Sequence, residues 1–166
     1  RPSVLGNVRA RWVYVQWFVL SAAGIVIASR INGLFLYTSI IFVVMGILYN
    51  VPPVRTKDRQ YLDVLTEAVN NPIRLVLGWC VIVGNVLPPS SILLTYWMAG
   101  AFLMAIKRYS ELRFIDNPTQ ASLYRKSFIH YSEETLLLSA FFYALTASFL
   151  LCVFLIKYRV EFILSI

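Results

Sequence analysis

Five long apolar runs dominate the chain, at residues 12–29, 34–50, 72–87, 91–106 and 136–156. Each is close to the length a helix needs to cross about 30 Å of hydrocarbon. Turn-forming residues separate them: Arg30-Ile31-Asn32-Gly33, Pro52-Pro53 and Pro88-Pro89-Ser90-Ser91. The runs are continuous, unlike the alternating segments of about ten residues that mark a membrane β-barrel. In lipid a backbone must satisfy its own hydrogen bonds, so such runs read as helices. The pattern predicts an all-α, multi-pass transmembrane bundle in a single domain, residues 1–166, with a sixth span beginning near Phe162. The chain opens on Arg1 rather than Met and stops at Ile166 inside an apolar stretch, which reads as truncation at one or both ends.

Composition agrees with that reading. Of the 166 residues, 59% are hydrophobic and 14% charged, with a mean hydropathy of +0.70. A soluble core of this size could not hide so much apolar surface. Cys80 and Cys152 lie in separate apolar runs and read as small buried hydrophobes, with neither zinc spacing nor a disulfide framework.

Charge then orients the bundle. Alternate loops hold Arg1, Arg9 and Arg11, then Arg55, Lys57 and Arg59, then Lys107, Arg108, Arg113, Arg125 and Lys126. The intervening loops hold only Arg30, Lys157 and Arg159, and Arg74 falls within a span. The positive-inside rule places the first set in the cytoplasm, as in a bacterial inner-membrane protein. Orientation and anionic headgroups account for the net charge of +7 without a nucleic-acid partner. Nearly all the acids share that side; only Glu161 lies opposite.

Two polar clusters stand out there. After Tyr49-Asn50-Val51-Pro52-Pro53-Val54-Arg55-Thr56-Lys57, residues Asp63, Glu67, Asn70, Asn71 and Arg74 fall on one helical arc of about 100°. Asp63 and Glu67, four apart, repel each other. A Mg²⁺ ion would turn that cost into a gain, since it takes oxygen ligands and bridges to substrate phosphates. Arg74 would sit over a phosphate or pair with a carboxylate. The bland alternative is a salt-bridged helix end, Glu67 with Arg74 or Arg55, with Asn residues bonding between helices. The second cluster is Lys107-Arg108-Tyr109-Ser110-Glu111, which alone reads as snorkelling cations with a surface ion pair. Asp116-Asn117-Pro118 resembles a helix start. His130 has no Cys or second His nearby for a metal role, and Glu133 and Glu134 suit the first turn of a helix.

These motifs resemble the UbiA superfamily of intramembrane prenyltransferases. Tyr49 to Lys57 is similar to that family's Tyr-Ser-x-Pro-Pro-x-basic-x-Lys stretch. Arg1-Pro2-Ser3-Val4-Leu5-Gly6 resembles the RP-x-x-x-G that follows its first aspartate motif. Lys107 to Glu111 resembles the Lys-Arg-Tyr-x-Glu of the branch containing decaprenyl-phosphate phosphoribosyltransferase. The resemblance implies a fragment of a roughly nine-helix bundle with a cytoplasm-facing cavity. In such a bundle Mg²⁺ binds the phosphates of a polyprenyl phosphate or diphosphate, and the prenyl or ribosyl group passes to an acceptor. The first aspartate motif would precede Arg1, and Glu111 stands in place of the second, so the chain as given is expected to be inactive.

The expected site is therefore Asp63, Lys57 and Glu111 as catalytic residues and Asp63 with Glu67 on the metal. Tyr49, Arg55, Lys57, Asn70, Asn71, Arg74, Lys107 and Arg108 would bind substrate. Two other classes compete. A transporter or channel segment predicts charges deep in several spans. A non-catalytic assembly subunit predicts that the polar faces of 63–74 and 107–111 point apart.

Overall fold

The computed structural model of the chain describes residues 9–115 and 118–164. The Arg1-Pro2 opening and the Asp116-Asn117 cap lie outside them. All the regular structure described is helical: α1 (Ala10–Ala28), α2 (Gly33–Asn50), α3 (Leu62–Ala68), α4 (Asn70–Val83), α5 (Ser90–Phe114), α6 (Pro118–Tyr124) and α7 (Glu133–Leu164), with short 3-10 turns at Thr56–Asp58 and Lys126–His130. The multi-pass all-α fold is thus present.

Four helices, α1, α2, α5 and α7, are long and apolar enough to cross a membrane. The third run differs from expectation. Its helix α4 has 14 residues, about 21 Å at 1.5 Å per residue, and stops at Gly84, whose φ is 85°. Pro72 has no N–H to offer the Ala68 carbonyl, so the regular helix is interrupted at Val69, which keeps helical angles, and α3 precedes α4 along nearly the same path. The sixth span is not separate. Residues 133–164 contain neither Pro nor Gly, and α7 runs unbroken for 32 residues through Lys157 and Phe162.

Asn32 turns the first hairpin. Its side chain accepts from the Phe35 N–H at 2.8 Å, capping α2, and donates to the Cys80 carbonyl at 2.9 Å. Asn85 Oδ1 accepts from the Leu34 N–H at 3.0 Å, so the end of α4 is tied to the start of α2. Helices α5 and α7 form the most extensive pairing. Small residues on both, Ala101, Ala105 and Ala140, pack with Val64 and Ala68 of α3 in the main core. Of the cysteines, Cys80 is buried and Cys152 is exposed on the outer face of α7. The start of α3, the segment before α7 and the ends of α2 and α5 meet at one end of the bundle, where the polar chemistry lies.

Candidate active site

Helix α3 places two acids one turn apart at that end. Asp63 is fully enclosed, and Glu67 is partly open. Arg108, in the last turns of α5, reaches between them with 0% exposure. Its Nε donates to Asp63 Oδ2 at 3.3 Å, its Nη2 to Glu67 Oε2, and its Nη1 to Glu111 Oε2 at 3.1 Å. One guanidinium thus joins three carboxylates from two helices.

The segment before α7 closes the cluster. Tyr131 donates its hydroxyl to Asp63 Oδ1 at 2.7 Å and accepts the Tyr61 N–H at 2.7 Å. Burial and the adjacent Asp63 charge hold the Tyr131 hydroxyl well above its ordinary pKa, so it remains a donor. Ser127 donates to Asp63 Oδ2 at 3.1 Å. Arg125 Nη1 lies 3.6 Å from Asp63 Oδ2 and donates to Tyr49 Oη at 3.4 Å. Tyr49 in turn donates to Glu67 Oε2 at 2.7 Å.

Tyr49 and Arg125 also border a polar pocket of about 340 Å³, shared with Asn50, Arg55, Lys57, Asp58, Tyr124 and Lys126. Here Arg55 pairs with Asp58 at 2.9 Å, and Lys57 donates to Asn50 Oδ1 at 3.1 Å. Thr56, between those two cations, bonds Thr66 of α3 at 2.8 Å, which fixes the loop against the helix.

The structure therefore brings Asp63, Glu67, Arg108 and Glu111 together, with Tyr49, Arg55 and Lys57 alongside. Beyond Val69, which keeps right-handed helical angles, the remaining residues of the expected 63–74 face meet other neighbours. Asn70 borders an apolar groove between α1 and α2. Asn71 lies over Gly100 of α5. Arg74 is exposed and stands 5.8 Å from the centre of the Phe42 ring. Lys107 points outward, exposed, while its neighbour Arg108 points in. Sequence reasoning missed Ser127 and Tyr131 altogether and read Arg125 only as a loop cation; a polar stripe on a short non-helical segment has no periodicity to expose it.

The carboxylates differ in their fitness for a metal. Among the described residues no three acidic, His or Cys side chains form a group able to hold an ion on their own. Both oxygens of Asp63 are already bound to Tyr131, Ser127 and Arg108, so Asp63 does not fit as a ligand here. Glu67 and Glu111 are partly open, and the described bonds use Oε2 of each. Two such carboxylates suit Mg²⁺, which is commonly held by one or two plus substrate phosphates.

The fold is a helical membrane bundle with a buried ion cluster beside a cationic pocket at one end. Residues 1–165 match the profile of the UbiA prenyltransferase family, and the chain belongs to that family. A prenyltransferase-type function on a prenyl phosphate-type substrate, in a membrane, comes with that membership. No curated protein and no solved structure matches the chain.

Proposed function

We propose that this chain forms part of a polyprenyl-group transferase that takes a polyprenyl phosphate or diphosphate. The acceptor would be aromatic, a lipid or a sugar phosphate; in the phosphoribosyl-type branch, which Lys107 to Glu111 favour, the polyprenyl phosphate would itself accept the ribosyl group and the leaving diphosphate would come from the activated ribose. The observation that carries this reading is the junction at Tyr49. Its hydroxyl donates to Glu67 of the buried cluster, and the same side chain borders the pocket with Arg55 and Lys57. A phosphate in that pocket would meet fixed cations in a partly dehydrated setting, where charge developing on a leaving phosphate is stabilised most strongly. Arg108 would hold Asp63, Glu67 and Glu111 in position and keep the cluster's charge close to balanced. Glu67 and Glu111 would be the ligands this chain contributes to Mg²⁺, which when bound would neutralise phosphate charge.

The direct meeting of α3 and α5 through Arg108 also weighs against an assembly subunit, whose two polar faces need not converge. A transporter reading finds little support, since Arg74 is the one charged side chain on α4.

The test is transfer by the intact protein in nanodiscs. Lys57→Ala and Asp63→Ala should each remove most turnover; full activity in both would end the reading. Chelation with EDTA should abolish transfer and added Mg²⁺ restore it. Activity that persists in EDTA would remove the metal from the proposal.

A further inference from the structure

Resting on that reading, we propose that Arg125, not Arg108, is the arginine that grips the substrate phosphate, supplied to the pocket by the segment between α6 and α7. The two guanidiniums are close in space and opposite in availability. Arg108 is 0% exposed, and Nε, Nη1 and Nη2 each bind a different carboxylate. A ligand could reach it only by displacing an acid from a buried ion cluster, which leaves charges uncompensated at high cost.

Arg125 is bound far less tightly. Its described contacts engage Nη1 alone, at 3.4 Å to Tyr49 Oη and 3.6 Å to Asp63 Oδ2. Both are at the long end for hydrogen bonds to a charged group. Its side chain is 20% exposed and borders the polar pocket that Arg55 and Lys57 also line. A planar fork with spare donors, sharing a pocket of this size with two other cations, is suited to bidentate binding of phosphate oxygens. Lys126 beside it adds a further positive charge to the rim. The lining carries four cations against the single acid Asp58, so the chemistry selects a multiply charged anion. Because Arg125 also touches Asp63 and Tyr49, its movement onto a phosphate would be felt by the buried cluster.

The test measures binding of inorganic pyrophosphate, with orthophosphate for comparison, to the intact protein by calorimetry. Arg125→Gln should weaken pyrophosphate about 10- to 100-fold, the value of one lost bidentate charged contact. Arg125→Lys should recover only part of it, because an ammonium keeps the charge without the fork. The ligand-free melting temperature of Arg125→Gln should stay near that of the wild type, whereas Arg108→Gln should melt much lower. Wild-type pyrophosphate affinity in Arg125→Gln, alongside loss in Lys57→Ala, would overturn the role of Arg125 and leave the proposed function standing. The role also fails if Arg125→Gln melts as low as Arg108→Gln, since that marks a structural residue. Wild-type affinity in Arg125→Gln and Lys57→Ala alike, or no pyrophosphate binding at all, would overturn both.

Discussion

Arg108 satisfies three acids from a position with no contact with solvent. Breaking a buried ion cluster from one side leaves like charges facing each other, a loss of about 3–5 kcal/mol. Arg108→Met is therefore expected to lower the unfolding free energy in detergent by about that amount. Adding Asp63→Asn should return part of the loss, because the amide removes one stranded charge and still accepts from Tyr131. If the double variant is no more stable than Arg108→Met, the cluster is not held by charge balance. Tyr131→Phe is a cleaner probe, since it leaves Asp63 Oδ1 and the Tyr61 N–H without their partner. It should cost about 1–3 kcal/mol in the same assay. An unchanged midpoint would show that water replaces the hydroxyl. Asp63, Glu67, Arg108 and Glu111 were legible in the sequence because each sits on a helix, at a four- or three-residue spacing that defines a face. Tyr131 and Ser127 act from a 3-10 turn and an extended residue, where spacing carries no directional information.

Where two helices touch, the smallest residue sets the distance. Gly100 lets α5 approach the α3–α4 joint so closely that an added Cβ would stand 2.0 Å from Asn71 Nδ2 and 3.3 Å from the Ala68 carbonyl oxygen. Nearby, Trp97 Nε1 donates to the Leu65 carbonyl at 2.9 Å, anchoring the same pair of helices. Gly100→Ala should therefore destabilise by about 1–3 kcal/mol, the usual cost of overpacking. Combining it with Asn71→Ala should relieve most of that cost, because the amide is the nearer obstacle. Additive losses in a double-mutant cycle would show that the backbone, not Asn71, resists the methyl group. The joint keeps the helical path close to continuous, since Val69 has right-handed helical angles and its N–H donates to the Leu65 carbonyl as in an ordinary helix. Asp63 and Glu67 therefore meet Arg108 of α5, and Asn71 meets Gly100 farther along the same helix.

At the scale of the whole bundle the two ends differ in kind. One carries Asp63, Glu67, Arg108, Glu111, Arg125 and the cationic pocket; the other is closed by Asn32 and Asn85, which bind backbone groups, with Arg30 as the charge of that turn. This asymmetry was readable from loop composition, because long apolar helices force most charges toward an end. The number of crossings was harder to read: apolarity counted the third run as a full span and split α7 at Lys157, whereas α4 has 14 residues and α7 has no breaker. The excess of Lys and Arg at the site end makes the cytoplasm its expected side. Single cysteines introduced into a Cys80→Ala, Cys152→Ala background test this. Arg59 and Lys107 are exposed at the site end, Ile31 and Leu87 at the other. In sealed cells a membrane-impermeant maleimide should label Ile31→Cys and Leu87→Cys at once, and Arg59→Cys and Lys107→Cys only after permeabilisation. The reverse pattern would place the site outside, away from a cytoplasmic pool of phosphorylated acceptors. Labelling of all four in sealed cells would mean that the bundle does not separate its two ends across the bilayer. The orientation matters chemically, because a pocket built for a multiply charged anion can be filled only from the side where such anions are kept.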